Sequence, residues 1–236
     1  MDVRLFARPR HLPPVSTVLV IAPHPDDETL GCGGTLLRHV AQGDDVHWLI
    51  ATTVTEEAGF TAERVDSRER EIETVADRYG FTRTHRLDLP TTRLDAVPMA
   101  TLVGAMGDVF KSVEPEVVYM PYRHDVHTDH AAVFDASVAC TKWFRYPSVR
   151  RVLVYETLSE SDFVLNPDIA GFRPNVFVDI TEHVDEKVEI MRVFASEMAP
   201  YPFPRSERAM RALADVRGTA AGYDAAEAFI LLRERL

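Results

Sequence analysis

The run Thr17-Val-Leu-Val-Ile-Ala22 constrains this chain more than any other stretch. It is strand length and has no polar side, so it requires apolar cover on both faces, which helices on either side of a parallel sheet supply. It stops at Pro23. A helix is expected to begin near Thr29 to Gly33 and to carry Leu36, Leu37 and Val40. Gly43-Asp44-Asp45 then breaks it, and Val46 to Thr53 reads as a second strand, completing a β-α-β unit.

The alternation continues. A charged, periodic helix from Thr61 to Tyr79 ends at Gly80, a natural C-terminal cap, and a strand follows around Thr84 to Leu89. Met99 to Val113 reads as a helix, Glu116 to Met120 as a buried strand closed by Pro121, Asp129 to Phe144 as a helix and Arg151 to Glu156 as a fifth strand. The predicted fold is α/β: a single Rossmann-like, doubly wound, mostly parallel sheet with helices on both faces. Residues 15–156 form its core. Residues 157–236 read as a C-terminal extension that decorates the sheet and supplies substrate loops, with a strand at Val176 to Ile180, a helix from Thr181 to Glu197 and a Pro/aromatic loop at Ala199 to Pro204. No Gly/Ser tract, charge block or repeat divides the 236 residues, so one domain is expected.

Two charged segments stand at strand ends: His24-Pro25-Asp26-Asp27-Glu28 after the first strand, and His124-Asp125-Val126-His127-Thr128-Asp129-His130 after the fourth. In a sheet ordered 3-2-1-4-5, strands one and four flank the topological switch point, so these segments face each other across one crevice. Alone, either segment reads as a solvated turn or helix cap. Together they read as a metal site. His24 and Asp27 with a third ligand from the second segment make three protein ligands and an open position, the form of a catalytic zinc site. Asp26, whose side chain diverges from that of Asp27, is left to act as general base. His127 is placed to donate to an oxyanion or a leaving amine, with Asp125 or Asp129 orienting its ring.

HPDDE after the first strand, paired with D-x-H-x-D-H after the fourth, closely resembles the PIG-L/LmbE-like superfamily of zinc-dependent de-N-acetylases. The resemblance runs from Thr17 to about Glu156 and includes Arg68-x-x-Glu71 with Gly80 beyond it. Further on, Arg217-Gly218, Gly222 and Ala226-Glu-Ala-Phe229 look like the bacterial branch that deacetylates small glucosamine conjugates. The resemblance implies metal ligands His24, Asp27 and His130, a base at Asp26, and an electrostatic partner at His127 with Asp129 behind it. It also implies a substrate contact at Arg68 and hydrolysis of an N-acetyl amide on an N-acetylglucosamine-type conjugate. Without it, Arg68 and Glu71 read as a solvated i,i+3 ion pair. The chain departs from the family at Thr128, where proline is common, and in Leu89-Pro-Thr-Thr92, where an Asp-Gly pair with a sugar-contacting acid is expected. Phe60, Phe163, Phe172, Tyr201 and Phe203 could stack on a sugar ring from loops near the crevice, but each taken singly reads as a packing residue.

Composition narrows the partners. A net charge of −11 disfavours nucleic acid and anionic lipid, and no apolar run is long enough to insert in a membrane. Met1 to Pro14 has no leader-length apolar run, so a cytoplasmic address is expected. Cys32 and Cys140 are too few for a disulfide framework and read as buried residues. The oligomeric state stays open, a homo-oligomer included. Three rival readings exist. Gly31-Cys-Gly33-Gly34 hints at a nucleotide-binding turn, but Leu36 stands where its third glycine belongs, and Asp26 to Glu28 oppose a pyrophosphate. A non-haem iron oxygenase uses the same ligand types, and Fe2+ fits the site as Zn2+ does, yet it has no evident use for Asp26. A sugar-binding module that has lost catalysis has no use for Asp26 or His127.

Overall fold

A computed structural model describes residues 15–169 and 171–236. Met1 to Pro14, in which no leader is expected, lies outside them. The central strand β1 (Thr17–Ala22) pairs in parallel with β2 (Asp45–Thr53) on one side and with β4 (Val117–Pro121) on the other. β3 (Arg83–Pro90) and β5 (Arg151–Tyr155) extend the parallel array, and the sheet order is β3-β2-β1-β4-β5-β7-β6. The predicted arrangement of the first five strands is therefore present. Residues 18–22 are fully buried, as an apolar run with no polar side demands. Val18 and Val20 pack with residues of α1 (Asp27–Gln42) and α2 (Ala62–Tyr79), while Leu19 and Ile21 pack with residues of α3 (Met99–Val113) and α4 (Thr128–Ala139).

Several boundaries differ from expectation, each for a local reason. Helix α1 begins at Asp27, ahead of the expected start, because Asp26 takes the position before it and its carbonyl accepts from Thr29 and Leu30. Helix α4 ends at Ala139, since Trp143 and Phe144 are exposed and give a longer helix no face to bury. The helix expected over Thr181 to Glu197 is reduced to α5 (Val184–Met191). Beyond it, Phe194 leaves helical geometry at ψ 58° and enters the core, and a 3-10 turn follows at Ala195–Glu197.

The largest correction concerns the C-terminal part. Residues 157–236 do more than decorate the sheet: β7 (Ala226–Glu234) runs antiparallel between β5 and β6 (Val176–Asp179), pairing Leu153 with Leu231 and Val178 with Glu227. Ahead of it, α6 (Glu207–Ala221) is capped by Ser206 and closes at Gly222, φ 79°. Glu227 ties this addition to α1. Its carboxylate accepts from the amides of Gly34 (2.9 Å) and Thr35 (2.7 Å) and from Lys187 Nζ (2.7 Å), which also donates to the Leu30 carbonyl (2.9 Å).

The glycines of Gly31-Cys-Gly33-Gly34 serve the same close packing. A Cβ at Gly31 would lie 2.2 Å from the Tyr155 ring, and one at Gly34 would lie 2.7 Å from Ile180. Helix-to-sheet contact thus accounts for glycines that resemble a nucleotide-binding turn. Among the described residues no helix is long and apolar enough to cross a membrane.

Lys187 and Glu227 are both buried, and removing one partner of such a pair strands the other's charge. Glu227→Ala is expected to cost about 3–5 kcal/mol, measured as a lower urea midpoint. A midpoint equal to that of the parent would show that the pair does not anchor the C-terminal strands.

Candidate active site

Because β1 and β4 are neighbours, the turns that leave them meet. The first carries His24 and Pro25, then Asp26 at φ 140°, and Asp27 as the first residue of α1. A non-glycine residue with this φ is strained by about 1–3 kcal/mol. The strained turn, rather than an extended loop, separates the side chains of Asp26 and Asp27. Glu28, fully buried, holds the turn by accepting from the Asp26 amide at 3.1 Å. The second segment places His127 before α4 and Asp129 and His130 within its first turn.

Asp27 Oδ2 lies 3.3 Å from His24 Nδ1 and 3.3 Å from His130 Nε2. These three donor atoms fall within 4.8 Å of one another, and His24, His127 and Asp129 form a second such group. Each imidazole of the first trio is held from behind by a carboxylate. His24 Nε2 lies 3.1 Å from Asp129, and His130 Nδ1 lies 2.7 Å from Asp125, which accepts in turn from Ser161 Oγ at 2.5 Å. His130 Nε2 is buried without a hydrogen-bond partner and faces the other two donors. Two nitrogens and one carboxylate oxygen, with the outer ring nitrogens fixed by acids, fit a zinc or ferrous ion.

The electrostatics agree. Burial works against a proton on His24, but hydrogen bonds to Asp129 and Asp27 and the charge of Asp27 raise it to about 9. Burial likewise opposes a proton on His130, and Asp27 and Asp125 outweigh it, raising it to about 10. Burial pulls Asp27 upward, yet the two imidazoles hold it well below the usual carboxylate range. A potential that draws protons onto both rings also favours a divalent cation between them, with release of those protons.

Asp26 and His127 line the cavity with His24 of the trio. Burial and the neighbouring charge of Asp27 push Asp26 up to about 7, against the pull of Arg205. Burial, then the nearby His24, brings His127 down to about 4, so its ring is neutral at neutral pH. Its Nδ1 accepts from the Asp129 backbone amide at 3.2 Å, which leaves the proton on Nε2. The expected support from the side chain of Asp129 or Asp125 is thus corrected. Backbone amide, not carboxylate, sets the His127 ring, because the Asp129 carboxylate is spent on His24 and on the amides of Thr92 (2.7 Å) and Leu94 (3.1 Å). Thr92, at φ 60°, meets Asp129 through its backbone, and Thr91 reaches the cavity.

A family model described as PIG-L, GlcNAc-PI de-N-acetylase, matches residues 19–141, a span that includes both motif segments. The chain belongs to the PIG-L family. It is 26% identical over 227 residues to the diacetylchitobiose deacetylase of Thermococcus kodakarensis, covering 90% of this chain and 82% of that one. The solved structure of the conserved protein TT1542 from Thermus thermophilus matches with a TM-score of 0.72 at 27% identity, covering 94% and 97% of the two chains. The N,N'-diacetylchitobiose deacetylase of Pyrococcus horikoshii shares the fold, with a TM-score of 0.76 at 22% identity over 93% of this chain and 85% of that one.

In this PIG-L chain a cavity of about 200 Å³ opens beside the trio, lined among others by Asp26, Arg68, His127, Glu197 and Arg205. Arg68 is only 5% exposed, so its pair with Glu71 is not a solvated one. Its Nη1 donates to the Pro25 carbonyl at 2.7 Å, its Nη2 to Glu197, and its guanidinium lies over the Phe194 ring. It touches the cavity while bracing the turn that carries His24 and Asp26. Of the aromatic candidates, Phe60 lines the cavity, Phe172 packs on Tyr122, and Tyr201 lies beneath Arg208.

Sequence reasoning missed Arg205, Glu197 and Glu160, which also line the cavity. Arg205 Nη1 donates to Asp26 Oδ2 at 2.9 Å. The only signal for it was its place directly after the Pro/aromatic loop, and Arg123, Arg145 and Arg173 likewise stand beside aromatic and proline residues.

Partners behind a metal-binding histidine are worth about 10–100-fold in affinity. Asp125→Asn is therefore expected to weaken zinc binding by that factor, read by competition with a chromophoric chelator. Unchanged affinity would show that the Asp125 bond does not orient His130 toward a metal.

Proposed function

We propose that the chain is a metal-dependent N-deacetylase, most simply a zinc enzyme, that hydrolyses the N-acetyl amide of an N-acetylglucosamine-type conjugate to acetate and a free amine. The observation that carries the reading is the meeting of His24, Asp27 and His130, with a buried carboxylate, Asp26, and a neutral imidazole donor, His127, lining the cavity beside them. Family membership and relatives named for diacetylchitobiose support the sugar part. His24, Asp27 and His130 are the proposed metal ligands, and the whole chain is read as one catalytic domain. A divalent ion held there would supply Lewis acidity toward a water and the acetyl carbonyl.

The residues of the chain do the rest. Asp26 takes the proton from the attacking water and returns it to the amine nitrogen as the amide C–N bond breaks. His127, with its proton on Nε2, donates to the carbonyl oxygen as negative charge grows there. Asp129 acts behind His24 and, through its amide, behind His127. Arg68 keeps the Asp26 turn in place at the cavity wall, where a sugar hydroxyl can also reach it. An iron oxygenase shares the ligand types but has no task for the base, so hydrolysis uses more of what is present.

Base and ligand separate by mutation. Asp26→Asn should keep its metal and lose about 10²–10⁴-fold in turnover, the usual range for general-base catalysis. His130→Ala should lose its metal, read by elemental analysis. Metal-free Asp26→Asn or fully loaded His130→Ala protein would reverse the assignments.

For the substrate, zinc-loaded protein is expected to release acetate from N-acetylglucosamine conjugates faster than from N-acetylated amino acids or O-acetyl esters of similar size. Faster release from either control set would remove the amino-sugar assignment and leave the hydrolase one.

A further inference from the structure

The C-terminal part of the chain touches Asp26 through the side chain of Arg205. Arg205 stands between the Pro/aromatic loop and α6, and every arm of its guanidinium is occupied. Nε donates to Ser159 Oγ at 2.8 Å and Nη2 to Glu160 Oε1 at 3.2 Å. Nη1 is shared between Asp26 Oδ2 at 2.9 Å and Glu197 Oε2 at 3.3 Å. Ser159, Glu160 and Glu197 thus hold the guanidinium in place, and its Nη1 reaches Asp26. A guanidinium fixed by three other partners presents its Nη1 donor to one carboxylate oxygen in a set direction, which a mobile ammonium does not.

Asp26 needs such a partner. It is buried, it occupies a strained backbone position, and it stands beside Asp27 and close to Glu197, both negatively charged. Like charges at that range turn a carboxylate away from its neighbours unless a cation holds it.

We propose that Arg205 is a positioning residue for the reaction: it clamps Oδ2 of Asp26 and so presents Oδ1 to the reacting water. The inference rests on the reading of Asp26 as the base. It assigns the C-terminal segment a direct part in setting the geometry of chemistry that the two motif segments carry out.

The test is a double-mutant cycle on the zinc-loaded, full-length protein. Arg205→Ala leaves Glu197 bonded to Arg64 at 2.8 Å and to Arg68, so the cavity wall keeps its other ties. Its kcat should fall by about 10–100-fold, the range for partners that orient a catalytic group, with KM and metal content little changed. Arg205→Lys should recover part of the loss, and added guanidinium at non-denaturing concentration should restore part of the Arg205→Ala rate. Combined with Asp26→Asn, Arg205→Ala should cost almost nothing further, because the group it positions has gone.

A kcat within twofold of the parent overturns the proposal, as does a loss confined to KM, which would make Arg205 a substrate contact. A loss that neither lysine nor guanidinium relieves and that adds fully to Asp26→Asn would make it structural and overturns the proposal too. The two levels fail separately. A fully active Asp26→Asn protein removes the base assignment and the clamp with it, whereas an inactive Asp26→Asn protein beside a fully active Arg205→Ala protein removes only the clamp.

Discussion

The parallel pairing of β1 with β4 is the constraint on which the active end of this molecule depends. It brings together side chains 105 residues apart, His24 and Asp129, at hydrogen-bonding distance. It also points the N-termini of α1 and α4 at the same space. Asp27 and Asp129 stand in the first turns of those helices, where exposed amides and the helix dipole favour negative charge. The helix ends thereby help to hold acids that burial alone would neutralise.

Buried charge explains much of what surrounds the trio. Asp27, Asp125 and Asp129 are buried against the same two imidazoles, and Asp26 is buried beside Asp27. Such a set is tolerable only where each acid has a cation, a hydrogen-bond donor or both. Asp129 takes two backbone amides and His24; Asp125 takes His130 and Ser161; Asp26 takes Arg205. The arginines are in turn joined through Glu197, which accepts from Arg64, Arg68 and Arg205. Arg68 acts on backbone, through the Pro25 carbonyl, and Arg205 on side chain, so the two cations secure the same turn by different handles.

The central sheet was legible because its signals are local and strong. An apolar run of six, Gly43 and Gly80 as left-handed caps, and Pro121 as a stop each act within a few residues. The two motif segments were legible because titratable residues of that density have few structural uses, and the strand order says that they meet. The C-terminal strands were not. Val176 to Ile180 showed as a strand, but nothing local shows that β7 would slide between it and β5, since that placement rests on Glu227 finding amides inside α1. Arg205 was hidden for the same reason: its role is defined by Ser159, Glu160, Glu197 and Asp26, which are brought together only by the finished fold. The support of His127 was misread because a backbone amide leaves no mark in a side-chain pattern.

These facts divide the site by origin. The donors and the base come from turns leaving β1 and β4, whose geometry is bound to the sheet and to strained positions such as Asp26 and Thr92. The cavity wall comes from elsewhere: Phe60, Arg64 and Arg68 from α2 and the loop before it, and Glu160, Glu197 and Arg205 from the C-terminal segment. Altering a donor disturbs several buried acids at once, because they share partners. Phe60, by contrast, stands at the wall outside this network of acids, so it can change size or shape at little cost to the metal trio. The freedom to change substrate without changing chemistry therefore lies in the wall, and Arg205 is the exception, being a wall residue that touches the base.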